Sequence, residues 1–441
     1  MKRIIYLGIL VFLTIFTSCN CPKTNSPTAA EIFNNPNYQA MSFGGYRNID
    51  RNIVPTVEEL KEDLKILSAL NIKVLRTYNT SMAETPNLLH AISELKKEDA
   101  NFEMYLMIGA WIEAENSRTE SVNHSVGSAK NADEIELAIK YAQNYPDIVK
   151  AIAVGNECMI HWATGYFVDE SIVVEWVKYL QNLKAEGKLS KDLWITSSDN
   201  FASWGGDTSE YGYEHKTEAL TELYKSVDFI SMHTYPFHDT YYNPAYWLTP
   251  EELINDDKMT QVDKAMTRAV EYAKMQYTNV KNYMLSLGIN KPIVIGETGW
   301  ASLDGEFNPQ DGPTEDIAKN IEQLYTSKYK TMYGVDASRA ADEFKEKLYY
   351  DRLRAWTNQD SITCFYFEIF DEPWKDGEHV GGTENHFGLI DINGHAKYVL
   401  WDEVDNGVFE GLTRGGKTIT KSFNGDENLL IKMVEAPAKA N

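Results

Sequence analysis

The feature that most constrains the fold of this 441-residue chain is the recurrence of short apolar runs between longer segments of helical period. The eight runs are Ala40–Gly44, Lys73–Thr77, Glu103–Ala110, Val149–Gly155, Leu193–Ser197, Val227–His233, Pro292–Gly296 and Ile362–Phe367. Strands that are apolar along nearly their whole length are typical of a parallel sheet buried on both faces. The runs therefore predict eight parallel strands.

Helical periodicity fills the intervals between these runs. The clearest segments are Val57–Leu70, Ala132–Tyr145, Ile172–Glu186 and Ala340–Trp356. Eight strand–helix units in sequence predict a (β/α)₈ TIM barrel, with elongated loops after strands six and seven. A doubly wound open sheet is the alternative, but no GxGxxG fingerprint follows the first run to support it.

The N-terminus has the order of features that a secretory signal requires. Lys2 and Arg3 precede the apolar stretch Ile4–Phe16, and small residues follow directly before Cys19. The stretch is too short to span a bilayer comfortably, which takes about 20 residues. The segment resembles a bacterial lipobox, although Phe16 stands where Leu is usual, and this implies lipidation of Cys19. An ordinary signal peptide is the alternative.

These features divide the chain into four parts. Residues 1–18 are predicted to be a lipoprotein signal peptide, 19–35 a lipidated tether, 36–404 the catalytic barrel, and 405–441 an extension packed on the barrel or trailing it. Asn20 follows the anchor instead of the Asp of inner-membrane retention, which favours the outer membrane or cell surface. Cys158 and Cys364 lie in apolar context and are predicted to be buried and unpaired.

The net charge of −23 argues against nucleic acid or an anionic lipid surface as a partner. An acidic surface is compatible with a neutral substrate but identifies none. Aromatic residues form 12% of the chain, and many lie near the predicted strand ends, where flat rings can stack on sugars.

Polar residues at the carboxyl ends of barrel strands are the catalytic candidates, because TIM barrels build their active sites there. Glu157 and Glu297 end the fourth and seventh strands, and each follows an apolar run and a glycine. Strands four and seven lie on opposite sides of the barrel mouth, so these two carboxyl groups can flank one bond. Glycoside hydrolysis needs such a pair, one protonated and one ionised.

Neighbouring strand ends supply groups that can support the two carboxylates. Asn156 is predicted to bind a sugar 2-hydroxyl, and Tyr235 to donate to the nucleophilic carboxylate. Arg76 is interpreted as a partner of a catalytic carboxylate rather than a substrate clamp. His233 and His238 lack a third ligand at recognisable spacing. Buried, hydrogen-bonded histidines are therefore favoured over a metal site.

Four motifs in order resemble those of glycoside hydrolase family 17. They are AVGNE at Ala153–Glu157, IGETGW at Ile295–Trp300, FEIFDEPWK at Phe367–Lys375 and HFGLID at His386–Asp391. The resemblance covers essentially the whole predicted barrel and implies a retaining endo-β-1,3-glucanase. Thr298 stands where Ser is common in the plant-type pattern, which affects fine specificity.

The resemblance implies that Glu157 is the acid/base and Glu297 the nucleophile. Substrate-binding or supporting residues are expected at Asn156, Tyr235, Trp300, Glu372, Lys375, Tyr78 and Trp111. For Glu372 and Lys375, an ion pair that braces the last loop is an equal alternative. The loops after strands six and seven, with Tyr241, Tyr242, Tyr246, Trp247 and the segment 300–307, are expected to form a curved aromatic wall, while Trp204 and Trp374 are further platform candidates.

The expected activity is retaining endo-hydrolysis of laminarin-type β-1,3-glucan, with no metal or other cofactor. A β-1,3-glucanosyltransferase that uses the same glycosyl-enzyme is one alternative. A surface glycan-binding protein without catalysis is the other, although both carboxylates are intact. No obligate protein partner is inferred.

Overall fold

Eight parallel strands close into a barrel in the order β1-β8-β7-β6-β5-β4-β3-β2. The computed structural model describes residues 26–209, 212–240, 246–303, 340–377 and 382–437. The strands are β1 Gln39–Ser42, β2 Ile72–Arg76, β3 Tyr105–Ala110, β4 Val149–Asn156, β5 Trp194–Asn200, β6 Ile230–His233, β7 Ile293–Thr298 and β8 Cys364–Tyr366. The predicted (β/α)₈ barrel is thus confirmed, and all eight predicted runs contribute a strand.

Helices surround this barrel and follow the predicted alternation. They are α1 Ala29–Ile32, α2 Val57–Ala69, α3 Glu84–Glu98, α4 Lys130–Asn144, α5 Glu170–Ala185, α6 Glu218–Ser226, α7 Pro236–Asp239, α8 Pro250–Asn255, α9 Lys258–Ser286, α10 Glu343–Gln359, α11 Trp401–Asp405 and α12 Glu427–Met433. Thr56 and Glu59 form a capping box at the start of α2, which satisfies backbone N–H groups that the helix leaves free. Local sequence signals therefore fix where this helix begins.

The amino-terminal end of the barrel is closed by an aromatic cluster. The ring of Phe33 stacks on Trp194 and Phe229, with centroids 5.5 and 5.1 Å apart, and lies 6.4 Å from Phe365. Ala29 and Ile32 of α1 are fully buried beside it. The predicted tether of residues 19–35 is therefore wrong at its C-terminal end, because an apolar helix there completes the barrel core.

The loops at the opposite end are unequal in length. The loop after β6 carries α7 and α8 before α9 begins, which confirms the predicted elaboration after strand six. Most of the long interval after β7, residues 304–339, lies outside the described residues. The loop after β3 contains an antiparallel hairpin, Ala114–Glu115 with Asn123–Gly127, which was not predicted.

The segment after α11 packs on the barrel as far as residue 437. Arg414 Nε lies 3.1 Å from Oδ1 of the buried Asp63 in α2, and its guanidinium lies 4.0 Å from the centre of the Phe370 ring. A buried ion pair of this kind fixes the position of the segment. In the part of the chain that the structure describes, no helix is both long and apolar enough to cross a membrane.

Candidate active site

The carboxyl ends of β4 and β7 bring two glutamates together at the barrel mouth. One carboxylate oxygen of Glu157 lies within 4.8 Å of one carboxylate oxygen of Glu297. Retaining glycosidases hold their two carboxyl groups about 5–5.5 Å apart, whereas inverting enzymes separate them by about 6.5–9.5 Å. The geometry of the pair is that of a retaining site.

Glu297 is held by two donors. The Tyr235 hydroxyl donates to its Oε1 over 2.6 Å, and the Arg76 guanidinium forms an ion pair with its Oε2. Burial raises the pKa of Glu297, but the electrostatic effects of His233 and Arg76 and the Tyr235 hydrogen bond outweigh it, so the pKa is lowered overall. Glu297 is therefore kept ionised. The predicted pairing of Arg76 and the predicted Tyr235 donor are both confirmed.

Glu157 has different surroundings. Its Oε1 lies 2.9 Å from Nδ1 of His233, a side chain with no exposed surface. The other ring nitrogen, Nε2, lies 2.7 Å from Ser198 Oγ, which itself lies 2.8 Å from Ser231 Oγ. His233 is thus the buried, hydrogen-bonded histidine that the sequence predicted. The histidine orients the Glu157 carboxylate and is in turn fixed by a serine pair.

Two glycines make room for this arrangement. A Cβ at Gly296 would lie 2.2 Å from Ser231 Oγ and 2.6 Å from Ser198 Oγ, which no side chain tolerates. Gly155 has φ +84°, and a Cβ there would lie 2.4 Å from Cys158 Sγ. Gly155, two residues before Glu157, and Gly296, directly before Glu297, are thus packing requirements of the site.

The backbone at Glu157 is also strained. Its φ of +45° lies in the left-handed region, which costs a non-glycine residue free energy and recurs at active sites. The turn is stabilised by the Glu157 N–H, which donates to the Ser198 carbonyl over 3.0 Å. The Met159 N–H donates to Asp199 Oδ2 over 2.8 Å, and burial raises the pKa of Asp199 to about 6.

Asn156 precedes Glu157 and completes the cleft floor. Its side-chain oxygen accepts a hydrogen bond from Arg76, so one guanidinium holds both Asn156 and Glu297. Asn156 is partly exposed, and its amide nitrogen has no hydrogen-bond partner among the described residues. Its two N–H donors are therefore available to a ligand. The predicted contact of Asn156 with a sugar hydroxyl is compatible with this orientation.

The end of β8 contributes a buried ion-pair cluster. Lys375 Nζ lies 3.1 Å from Glu368 Oε1 and 3.3 Å from Glu372 Oε2. Glu372 is 1% exposed, and its Oε1 accepts the Tyr46 N–H over 2.9 Å. The prediction that Glu372 contacts substrate is therefore wrong, and the bracing alternative holds. Lys375 remains close to the cleft, with its ammonium 3.8 Å from the centre of the Phe367 ring.

The expected aromatic wall is also corrected. Trp300 is fully buried and donates its indole N–H to the Ala340 carbonyl over 2.8 Å, so it is a core residue and not a sugar platform. Tyr246, Trp247 and Trp204 are buried as well. Tyr241, Tyr242 and residues 304–307 lie outside the described residues.

Other aromatic rings remain accessible near the strand ends. Tyr78, Trp111 and Trp374 are partly exposed, as platform residues must be. Trp162, in the loop after β4, is 61% exposed and is a further accessible ring beyond those predicted. Its proximity to Glu157 along the chain was the available signal. His238 is not the predicted buried histidine, because its side chain is 44% exposed and 3.6 Å from Glu384 Oε1.

Known proteins resemble this chain to different degrees. A probable glucan endo-1,3-β-glucosidase of Aspergillus terreus is 22% identical over 90% of this chain. The chain spans about half or less of the length of such fungal relatives, 48% for this one and 39% for the Aspergillus niger protein.

Among solved structures, an endo-laminarinase from Formosa Hel1_33_131 is 51% identical, with a TM-score of 0.84, and covers 94% of this chain and 98% of its own. A Rhizomucor miehei β-1,3-glucanosyltransferase in complex with laminaritriose is 18% identical, with a TM-score of 0.51, and covers 87% of this chain and 98% of its own. The second likeness concerns the fold alone.

The BtgE/BtgC glycoside hydrolase domain matches residues 40–388, which include every barrel strand from the second residue of β1 onward. The match contains both glutamates of the barrel mouth and the residues that hold them. The chain therefore belongs to the BtgE/BtgC glycoside hydrolase family.

Proposed function

We propose that this protein is an endo-acting β-1,3-glucanase that cleaves laminarin-type glucan with retention of anomeric configuration. The observation that carries the proposal is the close approach of the Glu157 and Glu297 carboxylates, within 4.8 Å, across the barrel mouth. The 51% identity with a Formosa endo-laminarinase over nearly the whole chain supports the substrate class.

The reaction proceeds in two displacements. Glu297 attacks the anomeric carbon, the glycosidic C–O bond breaks, and Glu157 transfers its proton to the leaving oxygen. A water molecule then attacks the same carbon as Glu157 removes its proton, and the bond to Glu297 breaks. After the first displacement Glu297 is esterified and Glu157 is ionised, and the second displacement restores a protonated Glu157 and an ionised Glu297.

Arg76 and Tyr235 serve the first displacement. Both donate to Glu297 and keep it ionised and correctly oriented before it attacks. The free amide donors of Asn156 lie beside Glu157, where they can bind the 2-hydroxyl of the sugar. Partly exposed Tyr78 and Trp111 and the ammonium of Lys375 complete the proposed sugar-binding surface.

Digestion of three glucans side by side tests the substrate class. Laminarin should be cut to short oligosaccharides, mixed-linkage glucan more slowly, and cellulose hardly at all. The matched control is Glu297→Gln, which should release nothing. Faster cleavage of cellulose would overturn the specificity. If a laminari-oligosaccharide substrate gave products longer than itself, the enzyme would be a glucanosyltransferase and not a hydrolase.

We also propose that the protein is exported and anchored at the outer membrane or cell surface through a lipid on Cys19. The support is the order of Lys2, Arg3, the apolar stretch and the small residues before Cys19. Cys19→Ala should move the enzyme to the soluble fraction with unchanged kinetics, while the control Cys21→Ala should stay with membranes. A wild-type protein that is already soluble after export would contradict the anchor.

A further inference from the structure

A second group of ligand-type side chains lies where the loop after β4 meets the loop after β5. His161 belongs to the first loop, Glu170 is the first residue of α5, and His215 ends a 3₁₀ turn before α6. One nitrogen or carboxylate oxygen from each side chain lies within 4.8 Å of the other two. Three separate segments thus bring two imidazoles and one carboxylate to a single point.

The contacts within this group do not use the buried Nδ1 of His215. His161 Nε2 lies 3.0 Å from Glu170 Oε1, and the rings of His161 and His215 have centroids 4.4 Å apart. His215 is only 3% exposed, and its buried Nδ1 has no hydrogen-bond partner among the described residues. A buried nitrogen without a partner costs free energy, so this one points to a missing ligand.

The surrounding charge favours a cation. Asp169 and Glu214 act electrostatically on His161, and Asp207 acts on His215, so the nearby carboxylates add negative potential. The adjacent Lys216 directs its ammonium to the Asp207 carbonyl, 3.1 Å away.

Among the described residues, Glu157, His233 and Glu297 in the cleft also place ligand-type atoms within 4.8 Å of one another, but their surrounding charges differ. Arg76 and Tyr235 already bind the Glu297 carboxylate there, and the guanidinium would repel a metal ion. Of the two clusters, the one at His215 is therefore suited to a cation.

We propose that His161, Glu170 and His215 bind one divalent transition-metal ion of the zinc class, with water completing the coordination. Two imidazole nitrogens and a carboxylate oxygen are ligands that zinc accepts, whereas calcium and magnesium prefer oxygen ligands alone. The His161 side chain is 20% exposed, which gives the ion access from solvent and leaves a position for water.

The site would connect two active-site loops. The loop after β4 begins with Glu157 and contains His161, and His215 lies in the loop after β5. A bound ion would restrain the segment that follows the acid/base. The proposal does not depend on the sugar specificity, and its consequences are expected mainly in stability and loop order.

The test is zinc binding to the chelator-treated full-length protein, followed by calorimetry and a thermal melt. One equivalent should bind and raise the Tm, and cobalt should give the visible absorption of a four-coordinate nitrogen–oxygen site. His215→Ala should weaken zinc binding at least tenfold. His90→Ala removes a surface histidine paired with Glu94 on α3 and should bind like the wild type.

Glu170→Gln provides a second variant if His215→Ala does not fold by circular dichroism, and it should weaken binding similarly. Absence of stoichiometric zinc, or equal affinity in these two variants and the wild type, would overturn the proposal. If zinc abolished laminarin cleavage and Glu297→Gln no longer bound zinc, the ion would lie in the cleft. That result would also contradict the proposal. Laminarin cleavage by the metal-free protein is measured separately and tests the glucanase function.

Discussion

The two glutamates of the cleft lie close together, yet their environments differ in contact and exposure. The Glu297 side chain is 10% exposed and bound by a guanidinium and a phenol hydroxyl. The Glu157 side chain is 31% exposed, and within the described residues its carboxylate lies at hydrogen-bond distance from the His233 ring alone. The difference in environment suits the two roles that we propose for the same residue type.

A nucleophile must be ionised and immobile, and Glu297 meets both conditions through permanent donors. An acid/base must lose a proton to the leaving group and take one from water, so it needs access to the cleft. Glu157 has that access, and no arginine or lysine forms an ion pair with it among the described residues. Substitutions of the two glutamates and of the residues that hold them therefore test whether the two environments determine the two roles.

The largest effect is expected at Glu297. Glu297→Gln keeps the shape of the side chain but removes the attacking oxygen, so no glycosyl-enzyme forms. Reducing-sugar release from laminarin should fall by about four orders of magnitude or more. A variant that folds normally by circular dichroism and retains a tenth of the activity would exclude Glu297 as nucleophile.

Glu157→Gln should reduce the cleavage rate less than Glu297→Gln does, and the size of the loss should depend on the leaving group. Cleavage of laminarin is expected to fall by about 10²–10⁴-fold, because the leaving oxygen then departs unprotonated. An aryl laminarioside with an acidic phenol needs little protonation, so its burst of phenol should persist. Equal loss on both substrates would mean that the two glutamates have been assigned the wrong roles.

Tyr235→Phe removes one donor to Glu297 and tests how ionisation is maintained. A charge-assisted hydrogen bond contributes about 1.5–3 kcal/mol, or about ten- to a hundredfold in kcat/KM. Because Tyr235 lowers the pKa of Glu297, its loss should raise that pKa and move the acidic limb of the pH profile to higher pH. A profile shifted to lower pH would contradict the proposed role.

Ser198→Ala tests the indirect support of Glu157, in which Ser198 holds His233 and His233 contacts the Glu157 carboxylate. The Ser198 hydroxyl lies 2.7 Å from His233 Nε2, and its loss should cost about 1 kcal/mol, or about fivefold in kcat. Ser197 is the matched control, since it is buried next to Ser198 and its Oγ has no hydrogen-bond partner among the described residues. If Ser197→Ala reduced kcat as much as Ser198→Ala, the His233 contact would not explain the loss.

The barrel and the glutamate pair were accessible from sequence because each rests on local signals. Apolar runs mark buried parallel strands, and a polar residue directly after such a run must lie at the barrel mouth. The glycines before Glu157 and Glu297 strengthened that interpretation, and the structure explains them by the close approach of Cys158 Sγ and the two serine hydroxyls.

The predictions for Trp300 and Glu372 were wrong for one physical reason. A position near a strand end does not reveal whether its side chain points into the cleft or back among the helices. Trp300 follows β7 closely, but its ring is buried against Tyr349 of α10, with centroids 5.1 Å apart. Glu372 likewise turns towards Lys375 and the Tyr46 backbone. Phe33 was assigned to the tether because the aromatic partners that bury it are distant in sequence.

The group of His161, Glu170 and His215 could not be recognised for a related reason. Its members come from different loops with no fixed spacing, and only the barrel closure brings those loops together. Long-range juxtaposition of this kind leaves no periodic or motif signal in a single sequence.

The central claim is that Glu157 and Glu297 act as a retaining pair, and the anomer released first tests it most directly. Proton NMR of laminari-oligosaccharide cleavage in the first minutes, before mutarotation, should show the β-anomer of the new reducing end. This follows from the separation within 4.8 Å of the two carboxylate oxygens, which leaves no room for a water molecule between nucleophile and sugar. An initial α-anomer would contradict the account.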